Sequence, residues 1–184
     1  EQLTFQTTAS AVNNTQLTNA ATGNAPEIAA IGGDTNVDLN VNAKGTGRVT
    51  LGPAKIQQTT EKVTTEATAA TGTVNYDVLT QAVWNFTTDA SGNWTLNIRG
   101  DGSTALNAIM DTGESITIAH IVKQGGTPYY NSAVQIDGSS VTPEYLGGSA
   151  PSAGNANSLD VYTYTVVKTG DATFTVLAAL SQYA

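Results

Sequence analysis

Between Val83 and Leu180 the chain is cut into short runs of alternating apolar and polar residues, each closed by glycine, asparagine or aspartate. Alternation of period two marks a strand with one buried face, whereas a helix repeats every 3.6 residues. Trp84 and Phe86 share a face over residues 83–88, and Asp89-Ala90-Ser91-Gly92 reads as a turn. Trp94, Leu96 and Ile98 then alternate with Thr95, Asn97 and Arg99. This spacing predicts a hairpin with Trp84 and Trp94 facing each other across it. Residues 116–122 and 132–136 are further strands. Residues 160–168 and 172–180 flank the short connection Thr169-Gly170-Asp171, and Phe174, Val176, Ala178 and Leu180 share a face. The one candidate helix is residues 104–110. Repeated short strands with turns between them predict an all-β fold, an antiparallel β-sandwich of jelly-roll type, over residues 59–184.

Residues 1–58 differ. They carry no Trp or Tyr, and Gln, Thr, Asn and Ala dominate residues 6–24. The clearest strand signal among them is a hairpin. Val37, Leu39 and Val41 alternate with Asp38, Asn40 and Asn42, the tract 43–47 turns the chain, and Val49 and Leu51 alternate with Arg48 and Thr50. A lone hairpin is marginally stable in water. The segment is therefore expected to be an extended arm whose apolar face, Val37, Leu39, Val41, Val49 and Leu51, packs on the following domain or on copies of itself. Packing on copies of itself would give a closed symmetric unit, and the residues alone leave a dimer, a trimer or docking on the chain's own sandwich open.

Composition narrows the function. Charged residues are 12% of the chain, about half the share usual in soluble proteins. The net charge is −8 with only 7 Lys and Arg, too few for a stripe that neutralises a phosphate backbone, so no nucleic-acid partner is expected. No run reaches the length of a membrane span, so no membrane insertion is expected. Cysteine is absent, which removes disulfides, zinc–thiolate sites and cysteine nucleophiles.

Catalytic signals are weak. His120 is the single histidine; it sits on a strand beside Ile118 and Val122, without a nucleophile elbow anywhere, and reads as structural. Lys168-Thr169-Gly170 matches one element of the penicillin-binding serine enzymes, but the S-x-x-K and S-D-N elements are missing and a hairpin turn explains it better. Residues 34–38 open like a calcium loop, yet Leu39 stands where the glycine belongs and Gly45 where the glutamate belongs. An EF-hand is excluded; a looser surface calcium site stays open. No cofactor motif and no catalytic residue is assigned, and the chain is expected not to be an enzyme. The tryptophan pair reads as core in preference to a sugar-stacking platform. Tyr129, Tyr130 and Tyr145 lie in or beside loops and are the candidate partner contacts, because tyrosine offers an apolar face with a polar tip. The loops to watch are residues 124–131 and the Gly-, Pro- and Ser-rich 139–158.

Two stretches resemble virion appendage proteins of tailed bacteriophages, marine and cyanobacterial ones especially. One is AATGNAP over residues 20–26, followed by GDTNVDL over 33–39 and KGTGRV over 44–49. The other is YYNSAVQIDGSSVTPEYLGG over residues 129–148, continuing through SAGNANSLDVYTYTVVKTGDATFTVLA. The resemblance implies a structural protein of the particle surface: a subunit of a trimeric fibre, spike or head decoration that contacts other virion proteins and takes part in attachment to a host-surface glycan. Three rivals remain: a capsid cement protein whose arm lies along the shell, a secreted carbohydrate-binding module and, with none of the required site signals present, a polysaccharide depolymerase.

Overall fold

A computed structural model describes residues 3–184. The chain divides into two compact units, Glu1–Lys55 and Ile56–Ala184.

Among the described residues of the first unit the only ladder joins β1 (Asn13–Thr18) and β2 (Glu27–Gly32), antiparallel, with Asn13 opposite Gly32 and Thr18 opposite Glu27. Asn13 secures the open end, its Nδ2 donating to Asp34 Oδ2 at 2.7 Å. The hairpin expected at residues 37–51 is not formed. Its turn is present, with Gly47 N donating to Lys44 O at 3.1 Å, but residues 37–41 and 49–51 carry no strand. Their five apolar side chains find no sheet to lie on: Val37 is half-buried, and Leu39, Val41, Val49 and Leu51 are exposed. Alternation alone does not stabilise two strands without a third element to bury the face.

The second unit is an all-β sandwich. β3 (Val63–Ala69), β5 (Val83–Thr88) and β7 (Ser115–Lys123) lie parallel in one sheet. β4 (Gly72–Asp77), β6 (Trp94–Arg99) and β8 (Asn131–Ile136) lie parallel in the other. Successive strands therefore alternate between the sheets, and each pair of consecutive strands makes one rung of a stack. The stack ends antiparallel. β9 (Ser139–Val141) folds back on β8. β11 (Leu159–Gly170) runs antiparallel to β7, β12 (Thr173–Tyr183) runs antiparallel to β11, and only the two-residue β10 (Glu144–Tyr145) joins the edge of β12 in parallel. The long strands expected near the C-terminal end are thus present, and the helical segment is one turn, α1 (Leu106–Ile109).

Pairing departs from expectation in one respect. It is mixed, with parallel pairs that a jelly roll lacks. The turn 89–92 does not close a hairpin; it carries the chain from one sheet to the opposite one, so Trp84 and Trp94 stand on different sheets.

Parallel stacking aligns like residues. Val74, Leu96, Val134 and Val141 form one inward row, and Tyr76, Ile98 and Ile136 the next. On the facing sheet Thr64, Trp84, His120, Tyr162 and Leu180 are in register. Outward rows are polar. Asn97 Nδ2 donates to Asn75 Oδ1 at 2.8 Å, Gly138 N donates to Asn97 Oδ1 at 2.8 Å, and Arg99 Nε donates to Asp77 Oδ1 at 2.6 Å. The stack is tied across its ends as well. Asp137, at φ 51°, accepts from the α1 amides of Leu106 and Asn107 at 2.7 and 3.0 Å. Lys168 is buried, its Nζ donating to the carbonyls of Asn107 and Met110 at 2.6 and 2.8 Å. These backbone oxygens belong to the end of a helical turn, where a cation is favoured.

Candidate functional site

His120 sits where the two sheets meet and is fully buried. Its ring is surrounded by Tyr76, Trp84, Phe86, Trp94 and Tyr162, with ring centroids 5.1–6.4 Å away. Neither ring nitrogen has a hydrogen-bond partner. Burial alone pushes its pKa down to about 3. A neutral imidazole sealed among aromatic rings has no route to a substrate, so the single histidine is part of the core. The tryptophans belong to the same core: Trp94 is buried and Trp84 half-buried against it.

The two predicted loops meet. Gln124 is 1% exposed and spans between them. Its Nε2 donates to Tyr129 O at 2.7 Å and to Asp160 Oδ2 at 3.0 Å, and Tyr129 N donates to its Oε1 at 2.9 Å. Asn155 N donates to Asp160 Oδ2 at 3.2 Å and Ser158 Oγ to Asn155 O at 2.6 Å. Backbone bonds finish the join: Gln124 N to Ser158 O at 2.9 Å and Asn157 N to Gly125 O at 3.0 Å. Burial raises the Asp160 carboxyl above its ordinary pKa, against hydrogen bonds from Asn155, Gln124 and Gln182 that hold it down. Close backbone approach fixes a residue type here. A Cβ on Gly154 would fall on the Tyr129 carbonyl oxygen, and 2.9 Å from Asp160 Oδ2.

Beside this join lies an open cavity of about 580 Å³ lined by Asp89, Lys123, Gln124, Asn157, Ser158, Leu159, Tyr183 and Ala184. Its floor follows from register. Lys123, Leu159 and Tyr183 are neighbours on β7, β11 and β12, and all three are exposed. Asp89 leaves the end of β5 and meets Lys123 Nζ through Oδ1 at 3.0 Å.

The three candidate tyrosines do not form one surface. Tyr129 is half-buried against the core, and its backbone holds Gln124. Tyr130 N donates to Asn93 Oδ1 at 3.1 Å, at the mouth of the β6 turn. Tyr145, on β10, packs against the core, and burial raises its hydroxyl pKa. Tyr183, the aromatic that does line the cavity, is 58% exposed; it lies beyond the last strand that alternation marked out.

Among residues 3–55 none is buried. Leu3, Phe5, Val12, Leu17, Ile28 and Leu51 are all more than half exposed, Phe5 at 82%. Among the described residues no group of three or more His, Asp or Glu side chains could hold a metal ion. Asp34, in the calcium-like stretch, is bonded to Asn13. No helix among the described residues is long and apolar enough to cross a membrane. Comparison with protein-family models, curated proteins and solved structures returns no match.

Proposed function

We propose that this chain is a structural, non-enzymatic subunit of an extracellular assembly, and that residues 3–55 are the element through which it assembles. One observation carries the reading: among residues 3–55 none is buried, while Leu3, Phe5, Val12, Leu17, Ile28 and Leu51 stand in water. Burying apolar surface contributes about 25 cal/mol per Å², and a segment that buries so little cannot offset the entropy of ordering its own backbone. It gains order from a partner. Copies of the same chain around a shared axis provide that partner at every position at once.

The resemblance of residues 20–26, 33–39 and 44–49 to virion appendages of tailed bacteriophages supports a homotrimeric fibre, spike or head decoration on the particle surface, in contact with other virion proteins. With no cysteine, the fold does not depend on the redox state of the compartment it works in. A capsid cement protein is the second reading, favoured by the same observation, since a coreless arm also suits a strap laid along a shell.

Light scattering on the full chain and on residues 56–184 tests the proposal. The full chain weighs about three subunits and the shortened one about one. A full chain that is monomeric at micromolar concentration, and whose first 55 residues resist protease, overturns the self-assembly reading. A monomer whose first 55 residues are cut freely until shells are added establishes the cement reading.

A further inference from the structure

We infer that the trough over the ends of β7, β11 and β12 is a binding site for a neutral saccharide. It lies wholly within residues 56–184, so it stands or falls independently of the assembly arm.

Its floor is a row set by sheet register: the Asp89–Lys123 pair, then Leu159, then Tyr183. Neighbouring strands are about 4.8 Å apart, so Lys123 to Tyr183 spans about 10 Å. The volume of about 580 Å³ lies within the range of small-molecule sites.

The lining selects the chemistry. Asp89 and Lys123 neutralise each other, which leaves no net charge to attract an anion or a cation. Both side chains remain about half exposed, so their outer lone pairs and protons stay available for bonds to hydroxyl groups. Asn157 adds a further exposed polar side chain on the wall, while the Ser158 hydroxyl is already committed to Asn155 O. At the other end Leu159 and Tyr183 present apolar surface, with Tyr183 held by strand pairing opposite Leu159. A ligand matching both ends has a face of C–H groups and a rim of uncharged hydroxyls, which describes a sugar ring. Aromatic faces paired with convergent carboxylate and amide groups suit such a ligand.

The site is preorganised. Gln124, on its wall, is buried with both ends of its amide bonded. Asn157 is held in the left-handed region at φ 55° by its amide bond to Gly125. A Cβ on Gly125 would lie 2.9 Å from Asp89 Oδ2, so the glycine leaves room for the carboxylate beside it. A ligand therefore meets groups already in place, and ordering costs little on binding.

The test is NMR titration of the full chain, isotope-labelled, with the methyl glycosides of glucose, galactose, mannose and N-acetylglucosamine and with glucuronate. At least one neutral glycoside shifts the amides of residues 89, 123–124, 157–159 and 183, and glucuronate does not. Tyr183→Ala and Asp89→Asn each weaken that binding roughly tenfold, as for loss of a stacking face or of a charged acceptor. Both side chains are about half exposed, so the melting temperature stays unchanged. No shift with any neutral glycoside, shifts elsewhere on the molecule, binding that survives both substitutions, or a response to glucuronate alone overturns the inference.

Discussion

The imidazole of His120 meets the indole of Trp94 edge-on, with ring centroids 5.7 Å apart and planes at 83°. His120 Nδ1 and Nε2 and Trp94 Nε1 all lack hydrogen-bond partners. The two residues come from opposite sheets, so the contact spans the sandwich. A polar ring that is buried without partners is tolerated only in its neutral form.

Acid stability follows from that contact. The native pKa is about 3 and the ordinary value 6.5. Below pH 6.5 the unfolded chain takes up a proton that the native core refuses, so stability falls with pH through this window and is unaffected by this group above it. The slope is about 1.4 kcal/mol per pH unit, or about 2 kcal/mol between pH 5.5 and 4. Asp160, whose pKa is raised by burial, contributes in the opposite sense. Urea denaturation at several pH values reads the net dependence, and His120→Leu removes the histidine part. A variant with the same pH slope as the parent shows that His120 does not cause it.

The two tryptophans differ in weight. Trp94 is 1% exposed, whereas Trp84 is partly exposed. Trp94→Ala costs about 3–5 kcal/mol, as for large core truncations, and Trp84→Ala costs less. Equal losses in urea midpoint, at unchanged m-value, contradict this ranking.

Asp137 holds α1 in place with both carboxylate oxygens while adopting φ 51°. Asp137→Ala loses the cap and keeps the unfavourable backbone, for about 1–2 kcal/mol. Asp137→Asn retains tolerance of that backbone and part of the cap, and loses less. Thermal denaturation of the two variants checks the order.

Gly154→Ala destabilises by about 1–3 kcal/mol, the usual cost of forcing atoms into a packed site. The added methyl meets the Tyr129 carbonyl and the Asp160 carboxylate, and Gln124 loses its fit between the loops. Hydrogen exchange at the Tyr129 amide, which donates to Gln124, accelerates in the variant. Unchanged exchange means the loops are joined by something other than Gln124.

Alternation made β5, β6, β7, β8, β11 and β12 legible, because each buries one face. It left β1 to β4 unread. β3 is an edge strand of threonines with partial burial only, and β1 has no buried face at all. Topology was hidden for a different reason. Trp84 and Trp94 point inward whether the turn between them closes a hairpin or crosses to the other sheet, so the pattern is the same for both. Gly-, Pro- and Ser-rich composition marked 124–131 and 139–158 as loops, but the second stretch holds β9, β10 and a 3-10 turn in its first half and is loop only beyond residue 148. The trough was out of reach because Asp89, Lys123, Leu159 and Tyr183 become neighbours only through long-range register.

Rung-by-rung stacking also decides how the sandwich bears mechanical load. A pull entering through Ile56 arrives first at β3, an edge strand held by a single neighbour and interrupted by an irregularity between Glu66 and Ala69. β4, next along the chain, likewise has one neighbour, β6. The outermost rung can therefore detach and lengthen the molecule while β5 to β8 and the β11–β12 pair stay closed. Its loss takes the Tyr76 ring from His120, while Trp84, Phe86, Trp94 and Tyr162 remain around the imidazole.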